Sequence, residues 1–281
     1  MPQIQYDIDK YRDCLKFRTS IVNSHLTKYG EKLKWKGGER IMDIGCGPAD
    51  VTRHCFLPLL PHDFKMLVCA DICPNMLKSA RSELLGLEHV DFVQMDISKC
   101  PQINLMNGFD RIFSTFCFMY VADQKKALEN VFQLLAPGGD CWISQFTIAP
   151  VVDTLFQLSE TPKWRNKLKD LRKTFIFPYW DDPDPVSTAE KFMKLIGYEN
   201  ISVVLDKCFI QMTSEKEFEA LVESLYDSCP NLSKEDKKNL LKDQTEIAKS
   251  LNLFKCDIPG ETQSMKVPHQ FLLIYGKKPV S

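Results

Sequence analysis

The sequence predicts an α/β fold built on a doubly wound, mostly parallel sheet, and three observations support this class. Segments with the patterns of strands and helices alternate between residues 40 and 147. The strand segment 65–72 is apolar almost throughout, as expected when helices cover both faces of a sheet. A turn with two glycines, residues 43–47, follows the first strand segment.

Each element of this alternating region has its own signal. Apolar or alternating runs predict strands at residues 39–44, 65–72, 89–96, 109–116 and 141–146. Apolar positions at helical spacing predict helices after Val51, over 75–85 and over 124–135. Asp123 has the side chain and position of an N-cap for the last of these helices.

The rest of the chain is predicted to be mainly helical. Helices are expected over residues 6–34, within 150–196 and twice within 214–256, and strands over 198–212 and 270–275. The basic segment Lys163–Lys173 has an apolar stripe and is expected to be a helix of a lid. We therefore predict one domain, 1–281, with an N-terminal helical segment (1–38), a core sheet (39–148, 198–212 and 268–278) and two helical insertions (150–196 and 213–256).

Composition and charge exclude several classes of protein. The chain has 281 residues and a formal net charge of −1, without the basic excess typical of nucleic-acid binding. No apolar run reaches the roughly 18 residues of a membrane span, and the charged N-terminus lacks a signal-peptide pattern. The 11 cysteines show no zinc-site spacing, so we expect no metal site and a cytoplasmic protein with reduced thiols.

The most informative segment is the glycine turn, Asp43-Ile44-Gly45-Cys46-Gly47. Ligands of open α/β sheets bind outside the carboxyl ends of the strands, where glycines let them approach the backbone. A dinucleotide site would have a third glycine at the position of Asp50, so a nicotinamide or flavin enzyme is disfavoured. Asp43 instead places a carboxylate beside the turn, where it suits a cationic group.

Two further acids follow strand ends. Asp71 ends the second strand, where a carboxylate can accept hydrogen bonds from both hydroxyls of a ribose. Asp96 ends the third strand, where it can meet an exocyclic amine. An ammonium group, a ribose and an adenine amine together describe S-adenosylmethionine better than a dinucleotide.

With these residues the sequence resembles the class I S-adenosylmethionine-dependent methyltransferases, whose D-x-G-x-G turn corresponds to Asp43–Gly47. The resemblance extends over nearly the whole chain to the insect juvenile hormone acid methyltransferase family. The segments that carry it include IMDIGCGPADVT, CADICPNMLKSA, FDRIFSTFCFMYVADQKKAL, LLAPGGDC, TPKWRNKL, FPYWDDPDP and the C-terminal strand. The implied fold is a Rossmann-like, seven-stranded sheet with helices on both faces and helical insertions that form a lid.

The resemblance also implies roles for individual residues. Asp43 would pair with the ammonium group of the cofactor, and Gly45 and Gly47 would lie against its methionine part. Asp71 would hold the ribose. The remaining cofactor contacts would be those of Ile72 and Ile97 with the adenine ring, Asp96 with its amine and the backbone of Ser114 with the sulfonium end.

The acceptor side departs from the family pattern. The family has a glutamine and a tryptophan near the acceptor where this sequence has Lys16 and Tyr120, and a histidine where it has Met119. Lys16 and Tyr120 are the candidate acceptor-positioning residues. The expected walls of an apolar substrate pocket are Phe116, Met119, Tyr120, Trp164, Phe177 and Trp180.

These features predict an O-methyltransferase that converts a small lipophilic acid, of the farnesoic or juvenile hormone acid type, to its methyl ester. Two alternatives stay open at this point. One is a methyltransferase for another small molecule, and the other is a catalytically silent homologue that binds a lipophilic ligand. The sequence predicts no nucleic-acid partner and no membrane insertion, and it leaves open a homodimer.

Overall fold

The structure, a computed structural model, describes residues 8–212, 214–226, 229, 231–251 and 265–280. Its seven strands are β1 (Arg40–Ile44), β2 (Met66–Asp71), β3 (Val90–Gln94), β4 (Phe109–Thr115), β5 (Leu135–Ile148), β6 (Glu199–Met212) and β7 (Met265–Lys277). Its helices are α1 (Ile8–Asp13), α2 (Leu15–Tyr29), α3 (Pro74–Glu83), α4 (Gln124–Leu134), α5 (Pro150–Ser159), α6 (Leu171–Thr174), α7 (Pro185–Ile196), α8 (Glu215–Leu225) and α9 (Lys234–Ser250).

The strands form one sheet in the order β3-β2-β1-β4-β5-β7-β6, and β1 to β5 pair in parallel. The order reverses direction between β1 and β4, which is where open α/β sheets bind their ligands. β2 is buried at five of its six positions, which explains its continuous apolar run. The predicted doubly wound, mostly parallel sheet is confirmed.

Several helix signals in the sequence are also confirmed. The Asp123 side chain accepts the Lys126 N–H at the start of α4, and Ser214 and Ser233 cap α8 and α9 in the same way. α4 buries the apolar stripe that predicted it: Ala127, Leu128, Val131 and Leu134.

Other expectations need correction. The segment Lys163–Lys173 is not one helix, because residues 161–170 form successive turns before the short helix α6. The segment after Val51 forms a π-helical turn and a 3₁₀ turn, since Pro58 cannot continue an α-helix. β5 runs from Leu135 to Ile148 and is therefore longer at both ends than the predicted strand 141–146. The predicted helix ends at 6–7 and 252–256 lie outside the described residues.

The chain forms two compact units. The sheet unit comprises Arg18–Thr147, Phe177–Asp206 and the described part of Phe271–Ser281. The helical unit comprises Ile148–Ile176 and the described parts of Met1–Phe17 and Lys207–Gln270. In the part of the chain that the structure describes, no helix has the length and apolarity needed to cross a membrane.

Each unit has its own buried interior. In the sheet unit, apolar residues of β1, β2, β4, β5 and β7 pack with those of α4 and α7. In the helical unit, α9 packs against α5 and α8. There the buried amide of Gln244 donates to Val151 O and Thr154 Oγ1 and accepts from Tyr226 Oη.

Candidate active site

The glycine turn lies where β1 ends, and the carbonyl of Ala70 on β2 holds it. The N–H groups of Gly45 and Cys46 donate to this one oxygen at 2.7 and 3.0 Å. Gly45 has a φ of +73°, and a Cβ at this position would collide with the side chain of Cys117. Only glycine combines this φ with this close approach, so local geometry explains the first glycine of the turn.

Asp43 is a buried carboxylate with one oxygen free. Thr52 Oγ1 donates to its Oδ2 at 2.6 Å, whereas Oδ1 has no hydrogen-bond partner among the residues described. Burial raises the pKa of Asp43 to about 7; the Thr52 hydrogen bond opposes this rise and the nearby Asp71 adds to it. A buried carboxylate that lacks a partner on one side is suited to a cationic ligand group.

Asp71 joins the end of β2 to the glycine turn. Its Oδ2 accepts the Gly47 N–H at 2.9 Å, and its Oδ1 accepts the Cys73 N–H at 2.8 Å. Burial raises the pKa of Asp71, and these hydrogen bonds oppose the rise. Each carboxylate oxygen has two lone pairs, so the group can accept further hydrogen bonds from a diol.

The residues predicted beside the adenine differ in exposure. Ile72 is 41% exposed directly after β2, whereas Ile97 is buried in the core of the sheet unit. Asp96 is half-buried, and its Oδ1 accepts the N–H and the hydroxyl of Ser98. Ile72 therefore offers an apolar surface to a ring, and the contribution of Ile97 would come from its backbone.

Ser114 lies near the end of β4 and is fully buried. Its Oγ donates to the carbonyl of Ile44 at 2.7 Å and so joins β4 to the end of β1. The side chain is engaged in this bond. The predicted contact to the sulfonium end stays a prediction about the backbone of this residue.

Four of the predicted substrate-pocket residues lie together beside the turn that follows β4. The N–H of Phe177 donates to Met119 O at 2.9 Å. The ring of Phe177 lies 6.4 Å from that of Tyr120 and 5.3 Å from that of Trp180, with edge-to-face geometry in both pairs. We call Met119, Tyr120, Phe177 and Trp180 the aromatic cluster. It is mostly apolar, with one phenol and one indole; Met119 and Phe177 are buried, whereas Tyr120 and Trp180 are half-buried.

Phe116 belongs to a second group of rings. Its ring centroid lies 5.5 Å from that of Phe146 and 6.2 Å from that of Phe271, and the latter two are 4.3 Å apart. The ring of His25 contacts Phe271 at 4.8 Å, and burial lowers the pKa of His25 to about 4. Sequence reasoning missed Phe146, Phe271 and His25, because nothing in their local pattern shows that they meet.

Two further predicted site residues belong to the helical unit. Lys16 is exposed on the first turn of α2. Trp164 is buried in the helical unit, where its Nε1 donates to Asp243 Oδ2 at 2.7 Å. Their assigned roles stay predictions.

Sequence reasoning also missed a buried ion pair next to the glycine turn. Arg18 Nη2 lies 3.0 Å from Asp50 Oδ2, and both side chains are less than a tenth exposed. Asp50 lies three residues after Gly47. In the sequence it served only to disfavour a dinucleotide site, which would have a glycine at this position. The pair fixes α2 against the start of the helical turns after β1.

The thiols near the turn are protonated at neutral pH. A hydrogen bond with Cys69 and burial raise the pKa of Cys46 well above its ordinary value, and burial raises that of Cys117 to about 12. Cys46 therefore does not act as a thiolate there. The described residues include no group of three or more histidines, cysteines or acids placed to hold a metal ion.

Comparisons with known proteins show which family and fold this chain resembles. A family model described as a methyltransferase domain matches residues 42–141, which include the glycine turn, Asp71 and Asp96. The fold is similar to that of phosphoethanolamine N-methyltransferase 2 from Haemonchus contortus, solved in complex with S-adenosyl-L-methionine. The TM-score is 0.53 at 17% identity, over 97% of this chain and 59% of that one. The fold and site thus define an enzyme of the class I methyltransferase type.

The relationship extends beyond the fold. The chain is 30% identical over 257 residues to juvenile hormone acid O-methyltransferase of Bombyx mori, which covers 90% of each protein. It is 26% identical over 262 residues to juvenile hormone acid O-methyltransferase of Drosophila melanogaster, covering 90% of this chain and 86% of the relative. The chain therefore belongs to the family of S-adenosylmethionine-dependent methyltransferases that includes these enzymes.

Proposed function

We propose that this methyltransferase converts a small lipophilic carboxylic acid, of the farnesoic or juvenile hormone acid type, to its methyl ester. The observation that carries the proposal is the extent of similarity to the Bombyx mori enzyme, 90% of both chains. That extent includes the turn after β4 and the helical unit as well as the cofactor-binding half. A shared cofactor site would account for similarity over the first half only.

The residues at the glycine turn fit S-adenosylmethionine, which supplies an electrophilic methyl group when bound. The free Oδ1 of Asp43 is a buried acceptor without a partner in the described structure, and it would hold the ammonium group. Asp71 would hold the ribose with its remaining lone pairs, and Ile72 would cover one face of the adenine. Gly45 and Gly47 have no side chain, so the methionine part of the cofactor would be able to approach the backbone of the turn.

Methylation of a carboxylic acid requires little proton transfer by the protein. The pKa of such an acid, about 4 to 5, leaves it ionised at neutral pH, so no general base has to remove a proton. The protein needs to bind the acceptor, align its oxygen and exclude water. The aromatic cluster supports this role, because its half-buried rings, Tyr120 and Trp180, lie beside the turn after β4 and would pack against a terpenoid tail.

The same cluster supports a second candidate, a methyltransferase for a different small lipophilic molecule. Met119 and Tyr120 replace a histidine and a tryptophan of the resembling family, and Lys16 replaces a glutamine. A lysine is a mobile point charge, unlike a fixed amide that donates in one direction. These three changes concern the acceptor, and they leave the cofactor residues unchanged.

Incubation of the protein with S-adenosylmethionine and a panel of acceptors tests the proposal. Farnesoic acid and juvenile hormone acid should yield methyl esters, detected by mass spectrometry, and farnesol should yield no product because its hydroxyl is not ionised. Above about pH 6 the rate with the acids should depend little on acceptor ionisation.

The wild-type protein is first tested for binding of S-adenosylhomocysteine, so that a negative result can be interpreted. Binding of this product without turnover of any acid contradicts acid methylation. Turnover of a non-acid in the panel instead supports the second candidate. Tight binding of a lipophilic acid without turnover of any acceptor supports a catalytically silent binding protein.

A further inference from the structure

Helix α4 buries two side-chain amides, Gln124 and Asn130, on the face that packs against the sheet unit's interior. Asn130 is 0% exposed and Gln124 is 4% exposed. A buried amide destabilises a fold unless it is hydrogen-bonded. The NH₂ groups of both amides meet this condition by donating to main-chain carbonyls of two different loops outside the helix. Asn130 Oδ1 has no partner among the described residues.

Asn130 holds the loop that follows β3. Its Nδ2 donates to Ile97 O at 2.7 Å and to Lys99 O at 2.8 Å. Asp96 and Ile97, the residues proposed to contact the adenine, belong to this loop. Because one amide engages two carbonyls separated by a single residue, it fixes the direction of the main chain at this point.

Gln124 holds the turn that follows β4. Its Nε2 donates to Phe118 O at 2.8 Å and to Val121 O at 2.7 Å. The two carbonyls flank Met119 and Tyr120, which belong to the aromatic cluster. Gln124 therefore closes the turn from inside and sets where these two side chains leave the backbone.

A second glutamine, Gln145 on β5, supports the first. Its Nε2 donates to Gln124 Oε1 at 2.9 Å. The orientation of both amides follows from chemistry: the NH₂ group of Gln124 faces two carbonyls, so its oxygen must face Gln145, which must then present its own NH₂ group. Gln145 Oε1 is consequently the last acceptor in this series of hydrogen bonds, and it has no partner in the described part of the protein.

We propose that α4 is a positioning element that serves the two halves of the site separately. Asn130 positions the cofactor loop after β3, and Gln124, supported by Gln145, positions the acceptor turn after β4. The two amides are six positions apart, about 9 Å along the helix, so each can be changed without touching the other's carbonyls. This inference rests on the proposed function, because it assigns the second turn to the acceptor.

The two amides provide matched variants for a test by calorimetry. Asn130→Leu should weaken S-adenosylhomocysteine binding about tenfold and leave farnesoic acid affinity, measured with the product bound, within about threefold. Gln124→Met should weaken farnesoic acid binding about tenfold and leave S-adenosylhomocysteine affinity within about threefold. Both replacements approximate the shape of the lost side chain and remove only its hydrogen bonds. Thermal melting curves establish that each variant is folded.

Separate effects on the two affinities support the proposal, because a merely structural role would alter both together. Equal losses of both affinities in both variants overturn it. If Gln124→Met does not fold, Gln145→Met takes its place, since it removes the support of Gln124 and leaves the carbonyl bonds. It should weaken acid binding by a smaller factor, and unchanged acid binding also overturns the acceptor half.

Failure of the proposed function gives a different result. In that case the wild-type protein itself binds S-adenosylhomocysteine and no lipophilic acid. The proposed role of Asn130 can still be tested then, because S-adenosylhomocysteine binding to Asn130→Leu needs no acceptor. If wild type binds both ligands and the variants do not separate them, the acceptor assignment stands and the role of α4 is wrong.

Discussion

The ends of β1 and β2 and the turn after β4 lie at the same edge of the sheet and are built in opposite ways. At the first, main-chain N–H groups donate to Asp71 and to the carbonyl that holds Gly45, and the Thr52 hydroxyl donates to Asp43. At the second, apolar rings meet from distant parts of the sequence, such as Tyr120 and Phe177.

This difference indicates where specificity can change. The proposed cofactor side depends on charges and on a φ that only glycine adopts readily, so we expect few substitutions to be tolerated there. The proposed acceptor side depends on apolar side chains and their shape, which many residues can supply. Relatives can therefore share the methyl donor and differ in the acceptor, and the departures at Met119 and Tyr120 fall on the changeable side.

The largest effect is expected from Gly45→Val. The new side chain combines an unfavourable φ of +73° with a collision at Cys117. We expect S-adenosylhomocysteine affinity to fall by roughly 100-fold or more, measured by calorimetry. Gly86→Val is a matched control, because Gly86 also has a positive φ but has open space where a Cβ would be. Equal losses of affinity in both variants would contradict a specific role for the turn.

Asp43→Asn should weaken binding by about tenfold to 100-fold, because the ammonium group loses its charged partner. The wild-type affinity should also depend on pH. With a pKa of about 7, Asp43 is mostly ionised at pH 8 and mostly neutral at pH 6, so affinity should fall about tenfold between these values.

The sign of this dependence follows from the positive charge of the ligand group, and the raised pKa of Asp43 places the change near neutral pH. A ligand cation favours the ionised form, so binding releases a proton below pH 7 and strengthens as pH rises to that value. Asp43→Asn should remove the dependence. A pH profile that is the same in both proteins argues against Asp43 as the partner of the ammonium group.

A smaller effect is expected from Phe177→Leu on the acceptor side. The variant removes ring contacts with Tyr120 and Trp180 and keeps an apolar side chain. The KM for a lipophilic acid should rise about fivefold, with S-adenosylhomocysteine affinity unchanged. The comparison between the two regions breaks down if product affinity falls as much as acceptor affinity.

The smallest effect is expected from Trp164→Phe in the helical unit. The variant loses the hydrogen bond to Asp243, which keeps Lys163 at 2.6 Å. Stability measured by urea unfolding should fall by about 1 kcal/mol. Kinetic constants should stay as in wild type if Trp164 is structural, whereas a raised acceptor KM would support its predicted place in the substrate pocket.

Sequence reasoning succeeded where the determinants are local. The strands β1 to β4 were predicted because their apolar runs are short and bounded, and the glycine turn because its residue pattern directly follows a strand pattern. It failed where a segment with a helical pattern does not form one helix in the folded protein. Lys163–Lys173 has a helical stripe, yet its residues up to 170 form turns.

The contacts that complete the site were beyond prediction for a different reason. Thr52 with Asp43, Arg18 with Asp50 and Gln124 with Gln145 pair residues that the fold alone brings together. A buried glutamine on β5 reads in the sequence as an ordinary interruption of an apolar strand. Its meaning depends on which amide lies opposite, and no spacing rule supplies that.

The division of the site is tested most directly by one calorimetric comparison of S-adenosylhomocysteine binding to Asp71→Ala and Tyr120→Ala. Asp71→Ala loses the carboxylate that holds Gly47 and would hold the ribose, so its affinity should fall roughly 30-fold. Tyr120→Ala should bind as wild type does. Unchanged binding by Asp71→Ala, or an equal loss in Tyr120→Ala, contradicts the account.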